Sequence, residues 1–241
     1  MNRNVWHSSD EGLSGVAPRT GHQYEKVESE SRFFLDQTRF SGDGGRQALL
    51  DALGSHFVLK QIKSYAFDDT YFRSIDLTNP IVGSLRMRVW TRYELAGKPA
   101  EQQPVQIILS DPKTDTYRGV PFKTGEKKSK RSFDTTREAL NQLQLEGYEK
   151  AFVVEKGNGV HFKIEGTGAE ARVAIENVTV RNGNSSWSRT MVELEVLSGD
   201  RDTVVDAIER VLAAIGVPKE SLIGEPMEKI ALAGLMRGAK Q

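Results

Sequence analysis

From Tyr24 onward the chain repeatedly alternates apolar and polar positions with a period of two, and in several segments the polar face carries full charges. In Met191–Val196, Val192, Leu194 and Val196 face one way, while Glu193 and Glu195 face the other. Leu85–Val89 divides in the same manner, with Leu85, Met87 and Val89 opposite Arg86 and Arg88. Val173–Glu176 places Arg172 and Glu176 on one face, and Glu28 and Glu30 repeat the paired-carboxylate spacing near the start. In a strand, residues two apart share a face, so each pair aims two like charges at one place. Such charges repel unless water, a cation or a metal offsets them. An open antiparallel sheet with one solvated face is the ordinary reading. The alternative is a closed barrel with an apolar outer wall covered by helices and a charged lumen.

The same pattern sets the expected element order. A first strand runs from about Tyr24 to Asp36, a short helix spans Gly44 to Gly54, one or two strands fill Phe57 to Arg73, and another covers Leu85 to Leu95. Between Tyr93 and Gly119, a polar stretch encloses Val105–Leu109, read as an extended hairpin ended by Asp111-Pro112. The basic run Lys127–Arg131 reads as a solvated loop. Asp134 opens a helix anchored by Leu140, Leu143 and Leu145 and stopped by Gly147. Strands follow at about 150–156, 161–164, 171–180 and 189–197. A helix capped by Asp200 or Asp202 and ended by Gly216 comes next, and a last helix spans about Glu225 to Arg237. About eight antiparallel strands with helices packed outside make an α+β closed barrel, not a parallel βαβ fold. The Ser-, Gly- and charge-rich residues 1–22 read as a flexible leader to a single domain over 23–241.

Composition narrows the chemistry. With 241 residues and 38% hydrophobic content, the chain is long enough for a substantial core. Its 33 basic and 33 acidic side chains cancel, which argues against a broad nucleic-acid or membrane field, so a polyanion site must be local. The absence of cysteine excludes disulfides, thiolate zinc sites and cysteine nucleophiles. No signal pattern or bilayer-length apolar stretch stands out, and a cytoplasmic protein is the expectation.

Taken in order, these segments resemble the CYTH superfamily, the triphosphate tunnel metalloenzymes. Glu28-Ser29-Glu30-Ser31-Arg32 stands in place of the family's opening Glu-x-Glu-x-Lys, and Asp69-Thr70-Tyr71-Phe72 and Leu85-Arg86-Met87-Arg88 match two further segments. Phe122-Lys123-Thr124-Gly125 with the later Arg131, Val153-Val154-Glu155-Lys156, Ile175-Glu176-Asn177-Val178 and Val192-Glu193-Leu194-Glu195 complete the series, over about Tyr24 to Ile215. Arg32 replaces the usual Lys, Ser132-Phe133 follows Arg131 in place of an acidic partner, and Gly157-Asn158-Gly159 occupies a position where an Arg is frequent.

The resemblance implies that Arg32, Arg86, Arg88, Lys123, Arg131 and Lys156 neutralise a triphosphate. It also implies that Glu28, Glu30, Glu176, Glu193 and Glu195 hold Mg²⁺ or Mn²⁺, with Glu28 and Glu30 as the catalytic pair. The activity implied is metal-dependent hydrolysis of inorganic triphosphate, thiamine triphosphate or a nucleoside triphosphate. A class IV adenylyl cyclase and a non-catalytic polyphosphate-binding module are the alternatives. The basic run Lys127–Arg131 keeps an RNA 5′-triphosphate end as a minor candidate substrate. Tyr71 reads as a packed strand aromatic and His161 as an edge residue.

Overall fold

The structure, a computed structural model, describes residues 29–76, 78 and 83–238. The expected leader and the start of the first strand, Glu28 included, lie outside the described residues. Eight strands close into one antiparallel barrel: β1 (Ser29–Phe34), β2 (Val58–Ser74), β3 (Ser84–Leu95), β4 (Val105–Tyr117), β5 (Val120–Phe133), β6 (Tyr148–Glu165), β7 (Ala171–Asn182) and β8 (Ser185–Val196). Around the barrel they run β1-β5-β4-β3-β2-β6-β7-β8. The helices α1 (Gly45–Gly54), α2 (Thr136–Leu145), α3 (Arg201–Ile215) and α4 (Met227–Gly238) pack against it. The α+β closed barrel expected from alternation is therefore the fold.

Three expected boundaries change. The two strands expected at 150–156 and 161–164 are one strand, β6, which survives Gly157-Asn158-Gly159 by a register shift, with Asn158 at φ 50°. β4 continues through Asp111-Pro112. Proline has no N–H to give the ladder, and a shift between Asp111 and Lys113 absorbs the irregularity. The basic run expected as a loop lies within β5, which pairs along β4. A two-residue turn joins them, with Arg118 at φ 52° and Gly119 at φ 77°, the twist-matched sense for a hairpin. Arg118 is an unusual residue in that region. Its guanidinium is fixed by Asp206 at 2.6 Å and Glu209 at 2.7 Å, which pins the hairpin tip to α3.

Outward positions of the strands form the core beneath the helices. Val173, Ile175, Val192 and Leu194 meet α3 through Val205, Ile208, Val211 and Ile215, with Leu49 and Leu53 of α1 alongside. Asp200 caps α3 by accepting from the Thr203 N–H at 2.8 Å, and Gly216 ends it at φ 62°. Elsewhere Leu85, Met87 and Ile107 pack on Ala139 and Leu143 of α2. Thr135 rather than Asp134 caps α2, in a reciprocal box with Glu138, and the expected anchor Leu145 is 84% exposed. Each fully buried aliphatic side chain in these layers contributes about 1.5–3 kcal/mol.

A third cluster lies inside the barrel. Inward residues Phe34, Tyr71, Phe152, Val154, Val178 and Met191 meet Met227, Ile230, Ala231 and Leu235 of α4, so the C-terminal helix closes one end of the lumen. Two main-chain hydrogen bonds between Arg32 and Ile223, of 2.9 and 2.7 Å, tie the approach segment to β1. The Trp187 indole N–H donates to the Ala231 carbonyl at 3.3 Å, and a Cβ on Gly234 would sit 1.9 Å from that nitrogen. Gly234→Ala should therefore lower the thermal midpoint, with about 1–3 kcal/mol lost to overpacking, although helix propensity alone favours alanine by about 1 kcal/mol. Differential scanning calorimetry checks it, and an unchanged or raised midpoint would mean that α4 is not clamped by Trp187.

Candidate functional site

Inside the barrel, above the α4 end, lies a polar cavity of about 370 Å³. Strand parity builds its walls. Arg86 and Arg88 from β3, Glu193 and Glu195 from β8, Glu30 and Arg32 from β1, Lys123 from β5, Lys156 from β6 and Arg172 from β7 all line it. Pro226, Met227 and Glu228 of the α4 segment form the floor, whereas at the other end Lys63, Trp90, Tyr93 and Gln103 are only partly buried. Nine Lys and Arg side chains line the cavity against five carboxylates among the described residues, a clear cationic excess.

Charges this deep in protein persist only when paired and hydrogen-bonded. Asp69 receives both Nε and Nη2 of Arg88 at 2.7 Å, with Arg86 Nε at 3.3 Å. Arg86 also donates to Ser110 Oγ at 3.0 Å. Arg32 donates from Nε to Glu193 at 2.8 Å and meets Glu30, while Lys123 lies 2.7 Å from Glu30. Lys156 pairs with Glu176, which also accepts the Tyr65 hydroxyl at 2.8 Å. His161 Nε2 stands 3.1 Å from Glu195.

These pairs set the protonation states. Burial alone would raise Asp69, but the charge and hydrogen bonds of Arg88, with Arg86 and Lys156, hold it below the usual aspartate value. Glu193 is likewise pushed up by burial and pulled well below the carboxylate range by Arg32, Lys156 and Lys123. Lys156 is lowered by burial and raised further by Glu176 and Glu193, and ends above the usual lysine value. Burial, then Glu176, holds the Tyr65 hydroxyl well above its ordinary value, so it stays a donor. Tyr71, buried, is pushed up to about 12.

Most of the expected site residues meet here. Glu30, Arg32, Arg86, Arg88, Lys123, Lys156, Glu193 and Glu195 line the cavity. Glu176 stands behind Lys156 and Tyr65, 1% exposed, and positions them. Glu28 lies outside the described residues. Arg131 is a correction: it faces outward from β5 and binds Glu146 beside α2, at 2.8 Å through Nη2. Its neighbours in alternation, Lys128 and Lys130, line the cavity in its stead. His161 is a second correction, being 3% exposed and lumenal rather than at an edge. Sequence reasoning named Asp69 within its segment without giving it a role, and it passed over Lys63. The two-residue spacing of Lys128 and Lys130 was the available signal, and it carries meaning only once the run is known to be a strand.

The carboxylates of Glu30, Glu193 and Glu195 are the hard oxygen donors that a divalent cation of the Mg²⁺ or Mn²⁺ type prefers. Glu30 and Glu195 are directly opposed across β1 and β8. Yet among the described residues no group of three carboxylate or imidazole side chains converges as a metal cage, since each is turned to a basic partner. The donor set fits such a cation in kind, on condition that the bases are drawn off by an anion.

The lowered carboxyls give a direction to the pH dependence. Asp69 and Glu193 protonate at lower pH in the folded chain than in the unfolded one, so unfolded chains bind protons first. Their contribution is complete above about pH 4–4.5 and is lost as pH falls through the folded values. Urea midpoints measured from pH 6 to 2 should fall steeply for the wild type, and start lower but fall less for Asp69→Asn. Parallel curves would remove Asp69 from the account.

No family model matches the sequence, and no curated protein does. Solved structures do match. A conserved hypothetical protein of Pyrococcus furiosus is 13% identical, covers 84% of this chain and 98% of its own, and superposes with a TM-score of 0.51. A Pyrococcus horikoshii protein gives 14%, 84%, 98% and 0.51 in the same order. A Vibrio parahaemolyticus protein provisionally assigned as an adenylate cyclase gives 12%, 86%, 98% and 0.50. At these identities the likeness is one of fold, and at that level the closed eight-stranded barrel agrees with the resemblance to the CYTH superfamily.

Proposed function

We propose that the lumen binds a triphosphate-bearing substrate and that the protein hydrolyses it in the presence of a divalent metal ion. The observation that carries this reading is the cationic excess packed around a cavity of about 370 Å³ that is closed at one end. A triphosphate brings about four negative charges, close to the surplus of nine bases over five carboxylates. Arg86, Arg88, Arg32, Lys123, Lys128 and Lys156 supply the neutralising contacts. Asp69 aims Arg88 through two hydrogen bonds, and Glu176 aims Lys156, so these cations are oriented before any ligand arrives. Pre-set charge of this kind is the main contribution a protein makes to phosphoryl transfer.

Glu30, Glu193 and Glu195 are the residues that would hold Mg²⁺ or Mn²⁺, which when bound would neutralise charge on the phosphate oxygens. When phosphate oxygens take over Arg32 and Lys123, Glu30 and Glu193 lose their present partners and become available as oxygen ligands. Glu30, with Glu28 as its partner in sequence, orients the attacking water. Water adds to the terminal phosphorus, the P–O anhydride bond breaks, and orthophosphate leaves with the shortened chain. Class IV adenylyl cyclase chemistry is the second reading, favoured by the fold shared with the Vibrio parahaemolyticus protein. It requires the ribose 3′-hydroxyl to be held for attack on the α-phosphorus.

Two experiments test these statements. Lys128→Ala and Lys130→Ala should each weaken tripolyphosphate binding in calorimetric titration, by about 1.5–3 kcal/mol for a charge-assisted contact, while Arg131→Ala leaves it near wild type. Unchanged affinity in both lysine variants would place this face of β5 outside the site. With ATP and Mn²⁺, orthophosphate should exceed cyclic AMP when products are separated by chromatography. Cyclic AMP with equimolar pyrophosphate as the main products would overturn the hydrolase in favour of the cyclase.

A further inference from the structure

We infer that His161 contributes a nitrogen donor to the cation held at Glu195, so that this lumen favours a first-row transition ion over Mg²⁺. The inference rests on the divalent-metal reading above and adds to it a ligand of a different chemical kind from the carboxylates.

A slip in the strand ladder brings His161 inside. Lys156 faces the lumen, and uninterrupted alternation along β6 would send position 161, five residues on, to the outer face. At Gly157-Asn158-Gly159 the register shifts instead: Gly157 and Val160, three apart, lie opposite Asn177 and Ile175, two apart on β7. One extra residue is thereby absorbed, and the side chains beyond it exchange faces. His161 turns inward, and Phe162 packs outside with the core that α1 and α3 cover.

The bulge is held on both sides. Asn158 takes φ 50°, and its carbonyl accepts from Arg46 of α1 at 2.7 Å. Glycine is required at Gly159, since a Cβ there would lie 2.4 Å from the Tyr65 ring. Ala174 of β7 stands opposite both His161 and Glu193, and its single methyl group leaves the imidazole room to reach toward β8.

The imidazole ends at a carboxylate. His161 is 3% exposed, and its Nε2 lies 3.1 Å from Glu195 Oε2. Nε2 nevertheless makes no hydrogen bond among the described residues, because the approach to the carboxylate lacks the alignment of one. A buried nitrogen without a partner is costly unless something else engages it. Two donors side by side on one octahedral ion stand about 3 Å apart, and His161 and Glu195 have that separation. Glu30, directly opposite Glu195 on β1, is the next oxygen donor.

The charged bases of the lumen cannot play this part. Arg32, Lys123 and Lys156 carry donors only, whereas a neutral imidazole keeps a lone pair on one ring nitrogen. Nitrogen also discriminates among cations: Mg²⁺ keeps to oxygen, while imidazole suits first-row transition ions.

Electron spin-echo measurements of Mn²⁺ bound to the full chain test this, with a methylene-bridged triphosphate present to occupy the lysines and arginines without being hydrolysed. Wild type should show nuclear modulation from a coordinated imidazole nitrogen, and ¹⁵N-labelled histidine should change its frequencies. The modulation should persist in the combined variant His7→Gln, His22→Gln, His56→Gln and vanish in His161→Gln. In calorimetric titrations with the Mn²⁺ and Mg²⁺ complexes of the same analogue, His161→Gln should lose about tenfold or more in affinity for the Mn²⁺ complex and stay near wild type for the Mg²⁺ complex. The labelled wild type and the combined variant decide the point alone if His161→Gln does not fold. Bound Mn²⁺ without nitrogen modulation, or equal losses for the two ions, would overturn the nitrogen donor and leave the carboxylate site standing. Failure of either ion to bind, with or without the analogue, would sink the metal reading and the donor together.

Discussion

Pairing of buried charge is the condition on which the rest of this molecule depends. Closing eight strands into a ring removes every sheet edge, but with charges at the inward positions it also takes them out of bulk water. The barrel tolerates this because its carboxylates are matched: Asp69 by Arg86 and Arg88, Glu30 and Glu193 by Arg32 and Lys123, Glu176 by Lys156, Glu195 by His161. Among the described residues, lysines and arginines outnumber carboxylates along the cavity wall. The outward positions beneath the helices are apolar, and they give α1, α2 and α3 their docking surfaces.

Stability and the shape of the cavity thus share side chains. Asp69 lies inside the cavity wall and orients Arg88, and its loss would loosen the wall as well as misaim the cation. Tyr65 joins two regions in the same way, because its hydroxyl is tied to the Glu176–Lys156 pair while its ring stacks on Phe67.

Period-two alternation made much of the site legible. Arg86 and Arg88, and Glu193 and Glu195, needed only strand parity to be placed inside, and the closed barrel followed from finding charge opposite apolar residues in several strands. Parity fails where register shifts. The unpaired Thr91 turns Tyr93 inward against its count, and the shift at Gly157–Gly159 hid the continuity of β6. The basic run failed for another reason: five adjacent polar residues have no hydrophobic period to declare a strand, so Lys130 and Arg131 could not be sorted into inner and outer faces. The position of α4 inside one end of the barrel is a tertiary fact. Its apolar stripe fits an outer wall equally well.

The α4 plug makes the lumen a blind well instead of a passage. On the proposed function, a substrate would enter end first, and its products would leave past the same cations that admitted it. Traffic is therefore last in, first out. On that reading, a fragment left at the floor would wait until the portion above it had gone, and among the described residues entry and departure would share the end opposite α4. A chain too long for the well keeps its excess outside, so the depth of the barrel acts as a ruler.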